Sequence, residues 1–180
     1  MGEVVIKGKR FVPYLSKAEI EERIEGLAAR LSADYAGDCP VLLVVLNGAL
    51  PFAAALMQRM RIPLEICCIK YKSYEGTESS GKINEAIGLP AERLAGRRVI
   101  VVEDIVDTGN TLAHLHGQLT DIGVKDAEVA ALTWKKAKYR AALPLRYVGF
   151  EIEDAFIIGY GMDYDEQGRQ YPDIYQYTEA

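Results

Sequence analysis

The chain has 180 residues, 49% of them hydrophobic, with 21 basic and 26 acidic side chains and a formal net charge of −5. That length and apolar fraction suit one domain with a sizeable core. The acidic balance excludes a chain-wide basic field of the kind that holds nucleic acid. Three cysteines, Cys39, Cys67 and Cys68, make a poor disulfide framework, being odd in number with two adjacent, and no pair has zinc-ligand spacing. Reduced, buried thiols are the expectation, in a reducing cytosol. Met1–Arg10 is charged and lacks an apolar h-region, and the apolar run Val41–Leu46 is far below the roughly 18–20 residues of a membrane span. A soluble cytoplasmic protein with no membrane partner is expected.

Ser16 and Glu19 have the spacing of a capping box, and Ile20, Ile24, Leu27 and Leu31 follow at helical intervals up to Gly37. Val41–Leu46 is a continuous β-branched and apolar run, as in a strand buried on both faces. Asn47-Gly48 breaks it, and a helix is predicted over Pro51–Met60. Leu64–Tyr71 reads as a strand. The polar stretch 72–88 is too long for an ordinary connection and reads as a lid or a hairpin arm. Arg97–Val102 is the next strand, followed by a helix over Asn110–Ile122 that stops at Gly123. Further strands are predicted over Ala127–Trp134, Tyr147–Phe150 and Phe156–Ile158. Strands alternating with helices predict an α/β fold, with a mostly parallel twisted sheet flanked by helices. In such folds ligands bind outside the carboxyl ends of the strands.

The chemistry concentrates in Val99–Leu112. A buried strand delivers Glu103 and Asp104 at its carboxyl end, and Asp107, Thr108, Gly109, Asn110 and Thr111 lead into a helix. Free amides and the dipole at a helix start favour a phosphate. Gly109 admits close backbone approach, and Thr108 and Thr111 can donate hydroxyl hydrogen bonds. Glu103 and Asp104 can accept from a vicinal diol and suit a hard cation such as Mg2+. A ribose phosphate presents both groups. The stretch is neither a Walker loop nor a GxGxxG fingerprint. Taken singly, each residue could merely end a strand or cap a helix; it is their combination that points to a ligand.

Val101-Val-Glu-Asp-Ile-Val-Asp-Thr-Gly-Asn-Thr-Leu112 resembles the phosphoribosyl-pyrophosphate signature of type I phosphoribosyltransferases, in particular the hypoxanthine-guanine branch. The likeness runs in order over most of the chain. Leu46–Ala49 resembles that branch's pyrophosphate loop, and Lys72–Thr77 its catalytic lid. Val148–Ile152, Phe156–Tyr160 and Asp163-Tyr164 resemble its purine-binding hood. Two positions depart from the common pattern, Asn47 and Asn110, where many relatives have lysine.

The resemblance implies one domain over 1–180, with a small base-binding hood contributed mainly by the N-terminal segment and about 135–180. It implies Asp107 as general base, with Ser73 and Tyr74 on the lid. Glu103, Asp104, Asp107–Thr111, Asn47, Gly48 and Arg169 would bind phosphoribosyl pyrophosphate. Lys135, Phe156, Ile157 and Asp163 would bind the purine. Glu103, Asp104 and Asp163 would hold Mg2+. The implied reaction is purine salvage, from hypoxanthine and guanine to IMP and GMP. A xanthine- or adenine-preferring transferase is the nearest alternative. A regulator that has kept the fold to bind nucleic acid would show added basic surface or an added domain.

His114 and His116 lie two apart on a helix, facing different ways, and read as surface or packing. Trp134 reads as core or interface packing. The basic run Lys135–Arg140 reads as a solvated loop, or else as Lys135 reading the base with the rest helping anionic substrates approach. Four of the eleven tyrosines fall between Tyr164 and Tyr177 and suggest a packed surface or a subunit interface, consistent with a homodimer or homotetramer.

Overall fold

A computed structural model describes residues 2–71, 85–141 and 143–179. Strands β3 (Val41–Val45), β4 (Glu65–Tyr71), β5 (Glu85–Ile87), β6 (Arg98–Val106), β7 (Asp126–Trp134) and β8 (Tyr147–Glu151) form the main sheet. Their spatial order is β5-β4-β3-β6-β7-β8. All neighbours pair in parallel except the edge strand β5, which runs antiparallel to β4. The mostly parallel α/β sheet read from the sequence is the one observed.

Helices cover both faces. On one side α1 (Lys17–Asp34) and α2 (Leu50–Arg59) bury Ile20, Ile24, Leu27, Phe52 and Leu56 against Leu42, Val44, Ile100 and Val102. On the other, α3 (Ala91–Leu94) and α4 (Asn110–Ile122) bury Leu94, Leu112, Leu115 and Leu119 against Val41, Leu43, Val99 and Val101. Alternate residues of β3 and β6 thus serve opposite cores, which is why those strands read as unbroken apolar runs.

The capping box at Ser16 is present: Glu19 N–H donates to Ser16 Oγ at 3.3 Å, and Ser16 N–H donates to Glu19 Oε2 at 2.8 Å. The helix ends at Asp34, before Gly37, with Tyr35 as its C-cap. Strand β6 continues four residues past the predicted Val102, so Glu103 and Asp104 lie inside it.

A second sheet, order β1-β2-β10-β9, joins the two ends of the described chain. It comprises β1 (Val4–Ile6), β2 (Lys9–Leu15), β9 (Ile157–Ile158) and β10 (Ile174–Thr178), all antiparallel. Phe11, Ile6, Ile158 and Tyr175 form its small core, with Tyr164, Tyr171 and Tyr177 packed around them. The tyrosine-rich tail therefore packs within the chain. The stretch 72–84 lies outside the described residues; its flanks, Tyr71 and Glu85, are paired across β4 and β5.

Two buried tyrosines sit side by side in the first core with opposite hydrogen-bond status. Tyr147 O–H donates to Asp34 Oδ2 at 2.8 Å. Among the described residues the Tyr35 hydroxyl has no partner, although the Arg98 guanidinium lies 4.0 Å from the ring centroid. A buried unpaired hydroxyl is costly, whereas losing a made bond costs roughly 0.5–1.5 kcal/mol. Tyr147→Phe should therefore lower the unfolding free energy by about 1 kcal/mol, while Tyr35→Phe leaves it unchanged or raises it. Urea titration of both variants at one pH checks the difference in sign.

Candidate active site

The segment after β6 forms a loop that opens onto α4. Gly109 is the N-cap, with φ +87°, and no side chain caps the helix. Asn110 N–H reaches Thr108 Oγ1 at 3.4 Å, and the remaining first-turn amides are left for another acceptor. A side chain at 109 would also meet Tyr139 Cε2 at 2.5 Å and Ala141 Cβ at 2.8 Å. The run after β7 lies directly over the loop, and Arg140 N–H donates to Thr108 C=O at 3.0 Å. Glu103 and residues 105–112 line a cavity of about 110 Å³ here, the size of a small anionic group.

Glu103 and Asp104 are neighbours on a strand and face different sides. Glu103, 7% exposed, faces the cavity below α4. Burial, then the charge of Asp104, hold its carboxyl well above the usual carboxylate range. Asp104 faces the loop after β3. A Cβ at Gly48 would lie 1.8 Å from Asp104 Oδ2, so only glycine admits that carboxylate. Gly48 is in turn covered by Gly161, whose substitution would place a Cβ 2.0 Å from Gly48 C=O. Burial pushes the Asp104 carboxyl up to about 6, backbone hydrogen bonds and Arg169 acting the other way. The Leu46–Asn47 peptide in the same loop is cis.

Asp163 and Arg169 approach this side from the turn between β9 and β10. Arg169 Nη2 lies 2.9 Å from Asp163 Oδ1 and 3.1 Å from Glu166 Oε2, and Nη1 donates to Gly161 C=O at 2.9 Å. Among the described residues no three Asp, Glu, His or Cys side chains converge as a ready cage for a metal ion. Glu103, Asp104 and Asp163 are therefore not brought together as a closed ligand set. The donors are nonetheless hard oxygens, Glu103 buried and Asp104 half-buried and both left at raised pKa, which fits a cation completed by a ligand's own oxygens.

On the other side of the loop, Lys135 is 7% exposed and its Nζ lies 3.1 Å from Asp107 Oδ2 and 3.3 Å from Asp154 Oδ1. Lys138 Nζ is 2.9 Å from the same Asp154 oxygen and 3.7 Å from Asp107 Oδ1. Asp107 Oδ1 is shielded from solvent and accepts no hydrogen bond from the described residues. Phe156, two residues beyond Asp154, is 49% exposed. Its ring stands edge-on to Tyr164 with centroids 5.8 Å apart. Ile157 is buried beside it.

The predicted residues thus fall into three adjoining groups: Glu103 with 107–111, Asp104 with Asn47, Gly48, Asp163 and Arg169, and Lys135 with Asp107 and the segment bearing Phe156 and Ile157. Ser73 and Tyr74 lie outside the described residues. Sequence reasoning missed Gly161, Lys138 and Asp154. Gly161 and Asp154 gave no local signal, because their partners lie on distant segments. Lys138 stands in view within the basic run, but the sequence around it shows neither of its carboxylate partners, Asp154 and Asp107.

Residues 14–165 match the phosphoribosyl transferase domain. The chain is 35% identical over 161 residues to the hypoxanthine-guanine phosphoribosyltransferase of Bacillus subtilis, covering 89% of each. It is 37% identical over 161 residues to the bifunctional protein TilS/HprT of Listeria innocua, covering 89% of this chain and 25% of that protein, a quarter of its length. The solved hypoxanthine phosphoribosyltransferase of Staphylococcus aureus superposes with a TM-score of 0.86 at 32% identity, covering 92% of this chain and 90% of that one. Agreement of domain, sequence and three-dimensional form across nearly the whole length places the chain in the phosphoribosyltransferase family, in its hypoxanthine-guanine branch.

Proposed function

We infer that this purine-salvage phosphoribosyltransferase moves the phosphoribosyl group of 5-phosphoribosyl 1-pyrophosphate to hypoxanthine or guanine, giving IMP or GMP and pyrophosphate. One observation carries the division of labour. Asp107, in the loop that opens α4, is hydrogen-bonded to the buried Lys135, so a carboxylate beside the phosphate site adjoins the cation of the base site.

The 5-phosphate sits on the amides of 108–111 and the hydroxyls of Thr108 and Thr111, with Asn110 beside them. Glu103 and Asp104 accept from the ribose hydroxyls. Asn47, Gly48 and Arg169 face the pyrophosphate. The purine stacks on Phe156, with Ile157 and Asp163 near its position 2, and Lys135 donates to the 6-oxo group. The purine N9 attacks the anomeric carbon as the bond to pyrophosphate breaks. Asp107 takes a proton from the imidazole part of the base. Ser73 and Tyr74 belong to the segment that excludes water during this step, an assignment resting on the resemblance alone.

Glu103, Asp104 and Asp163 are the residues that would hold Mg2+. When bound, Mg2+ supplies positive charge that offsets the departing pyrophosphate. The whole chain acts as one domain, with the small sheet as hood over the base. It works in the cytoplasm as a homodimer or homotetramer on small-molecule substrates. No helix among the described residues is long and apolar enough to cross a membrane.

Incubation with phosphoribosyl pyrophosphate, Mg2+ and each purine in turn tests the reading. Hypoxanthine and guanine should turn over well, xanthine poorly and adenine least, because an ammonium facing adenine's 6-amino group pairs donor with donor. Efficient adenine turnover would overturn the base assignment.

Asp107→Asn should lower kcat by about 10²–10⁴-fold, a loss larger than any accompanying change in either KM. Single-turnover kinetics isolates the step; a near-normal rate would remove Asp107 from it.

Asp104 generates a pH prediction. A carboxyl whose pKa is raised on folding adds stability below its unfolded value, near 4, and loses that contribution as pH rises through about 6. The ligand-free protein should therefore gain stability at pH 7.5 on Asp104→Asn, while losing affinity for phosphoribosyl pyrophosphate. Thermal unfolding at pH 5 and 7.5, paired with calorimetric titration of the sugar, checks both halves. A variant less stable at pH 7.5 than the parent contradicts the buried-charge account.

A further inference from the structure

We propose that Asp154 is the positioning residue for Lys135: it accepts a hydrogen bond from one of the ammonium's N–H groups, Asp107 accepts from another, and the third is left for a single acceptor on the purine. This deepens the base assignment above and rests on it.

An ammonium carries three donors and no acceptor. Lys135 Nζ has Asp107 Oδ2 at 3.1 Å and Asp154 Oδ1 at 3.3 Å. Two donors are committed before any ligand arrives. The backbone of Lys135 is fixed as well: its N–H donates to Val106 C=O at 2.9 Å, and its C=O accepts from Lys138 N–H at 3.0 Å. A buried lysine held at both ends presents one remaining proton in one direction. A 6-oxopurine offers one acceptor at the matching position.

Without Asp154 the same ammonium has only Asp107 to pair with. It would sit against the general base, opposing proton abstraction, and would keep two loose donors facing the pocket. Asp154 divides the ammonium between two carboxylates, so that Asp107 holds it through Oδ2 alone and keeps Oδ1, which accepts no hydrogen bond from the described residues, for the base. Lys138 completes an alternating set of two carboxylates and two ammoniums: its hydrogen bond to Asp154, then the one from Lys135, hold that carboxyl below its usual range. Asp154 thus stays charged without repelling Asp107 across the lysine. The segment that carries Asp154 also carries Phe156, so one short stretch fixes both the stacking ring and the hydrogen-bond donor for the base.

Asp154 has a half-exposed side chain, so its substitution leaves the core intact. The test is steady-state kinetics of Asp154→Asn, Lys135→Ala and the double variant, with hypoxanthine, adenine and phosphoribosyl pyrophosphate. Asp154→Asn should raise the hypoxanthine KM about tenfold, as for a lost charge-assisted hydrogen bond, and narrow the hypoxanthine-to-adenine ratio. The KM for phosphoribosyl pyrophosphate should stay put, and Asp154→Glu should recover part of the loss. Because Asp154 acts through Lys135, the double variant should match Lys135→Ala alone. Additive losses in the double variant, or an unchanged hypoxanthine KM in Asp154→Asn while Lys135→Ala raises it, would overturn the proposal. If Lys135→Ala itself leaves purine binding unchanged, the base assignment fails as well.

Discussion

The site depends on two adjacent carboxylates drawn into the protein, Glu103 buried and Asp104 half-buried. β6 is the middle strand, hydrogen-bonded to β3 and β7 and apolar on both faces up to Val102. The next two residues are Glu103 and Asp104. Ionising either one there is opposed by burial, and both carboxyls are held above their ordinary pKa. Burial of this kind detracts from stability in the ligand-free protein. It is sustained because the strand has no freedom to withdraw, being paired on both sides and packed above and below. The surrounding backbone gives way instead. Gly48 packs on Asp104, and Gly161 packs on Gly48, at positions where a side chain would collide. The loop after β3 is thus shaped by the carboxylate it encloses, and the loop after β9 by the β3 loop it covers.

The two halves of the site differ in charge balance. Around Asp104 the ligand-free protein supplies acids with Arg169 as counter-charge, and that arginine already pairs with Asp163 and Glu166. This half suits a partner that brings a cation of its own. Around Lys135 the charges cancel: Asp107 and Asp154 against Lys135 and Lys138. This half needs no cation and is set in place before any ligand arrives. An anionic, cation-carrying sugar and a neutral base are the substrates that such a division fits.

Most of the main sheet was legible because its cause is local. Buried parallel strands must be apolar on both faces, so β3 and the start of β6 announce themselves, and Ser16, Gly109 and Gly123 mark helix ends by their own chemistry. The candidate phosphate loop was legible for the same reason, its residues being contiguous. The small sheet was not. β2 reads Lys-Arg-Phe-Val-Pro-Tyr-Leu, with proline inside and no clean alternation, and β1 and β9 are only three and two residues long. Its strands exist because the chain's two ends meet, which no window along the sequence reports. Asp154 and Gly161 were missed on the same ground. Each matters through one contact with a distant segment, and neither stands in a pattern that its neighbours would betray.

Strand geometry also explains why two adjacent acids are useful where two acids at helical spacing would not be. Successive side chains on a strand point to opposite faces. Glu103 therefore reaches the cavity under α4, and Asp104 reaches the Gly48 loop, from a single rigid backbone. One strand end thus addresses both flanks of the site, as the proposed reading requires of a sugar with its phosphate on one side and its leaving group on the other. The arrangement cannot tolerate a slip in register. Moving β6 by one residue would turn Glu103 into the glycine-lined space and Asp104 toward the helix, exchanging a long side chain for a short one on each flank. The register is pinned on both sides, by Val41↔Val99 through Val44↔Val102 and by Arg98↔Asp126 through Val106↔Trp134. The parallel ladder that builds the core is therefore also what sets the reach of each carboxylate.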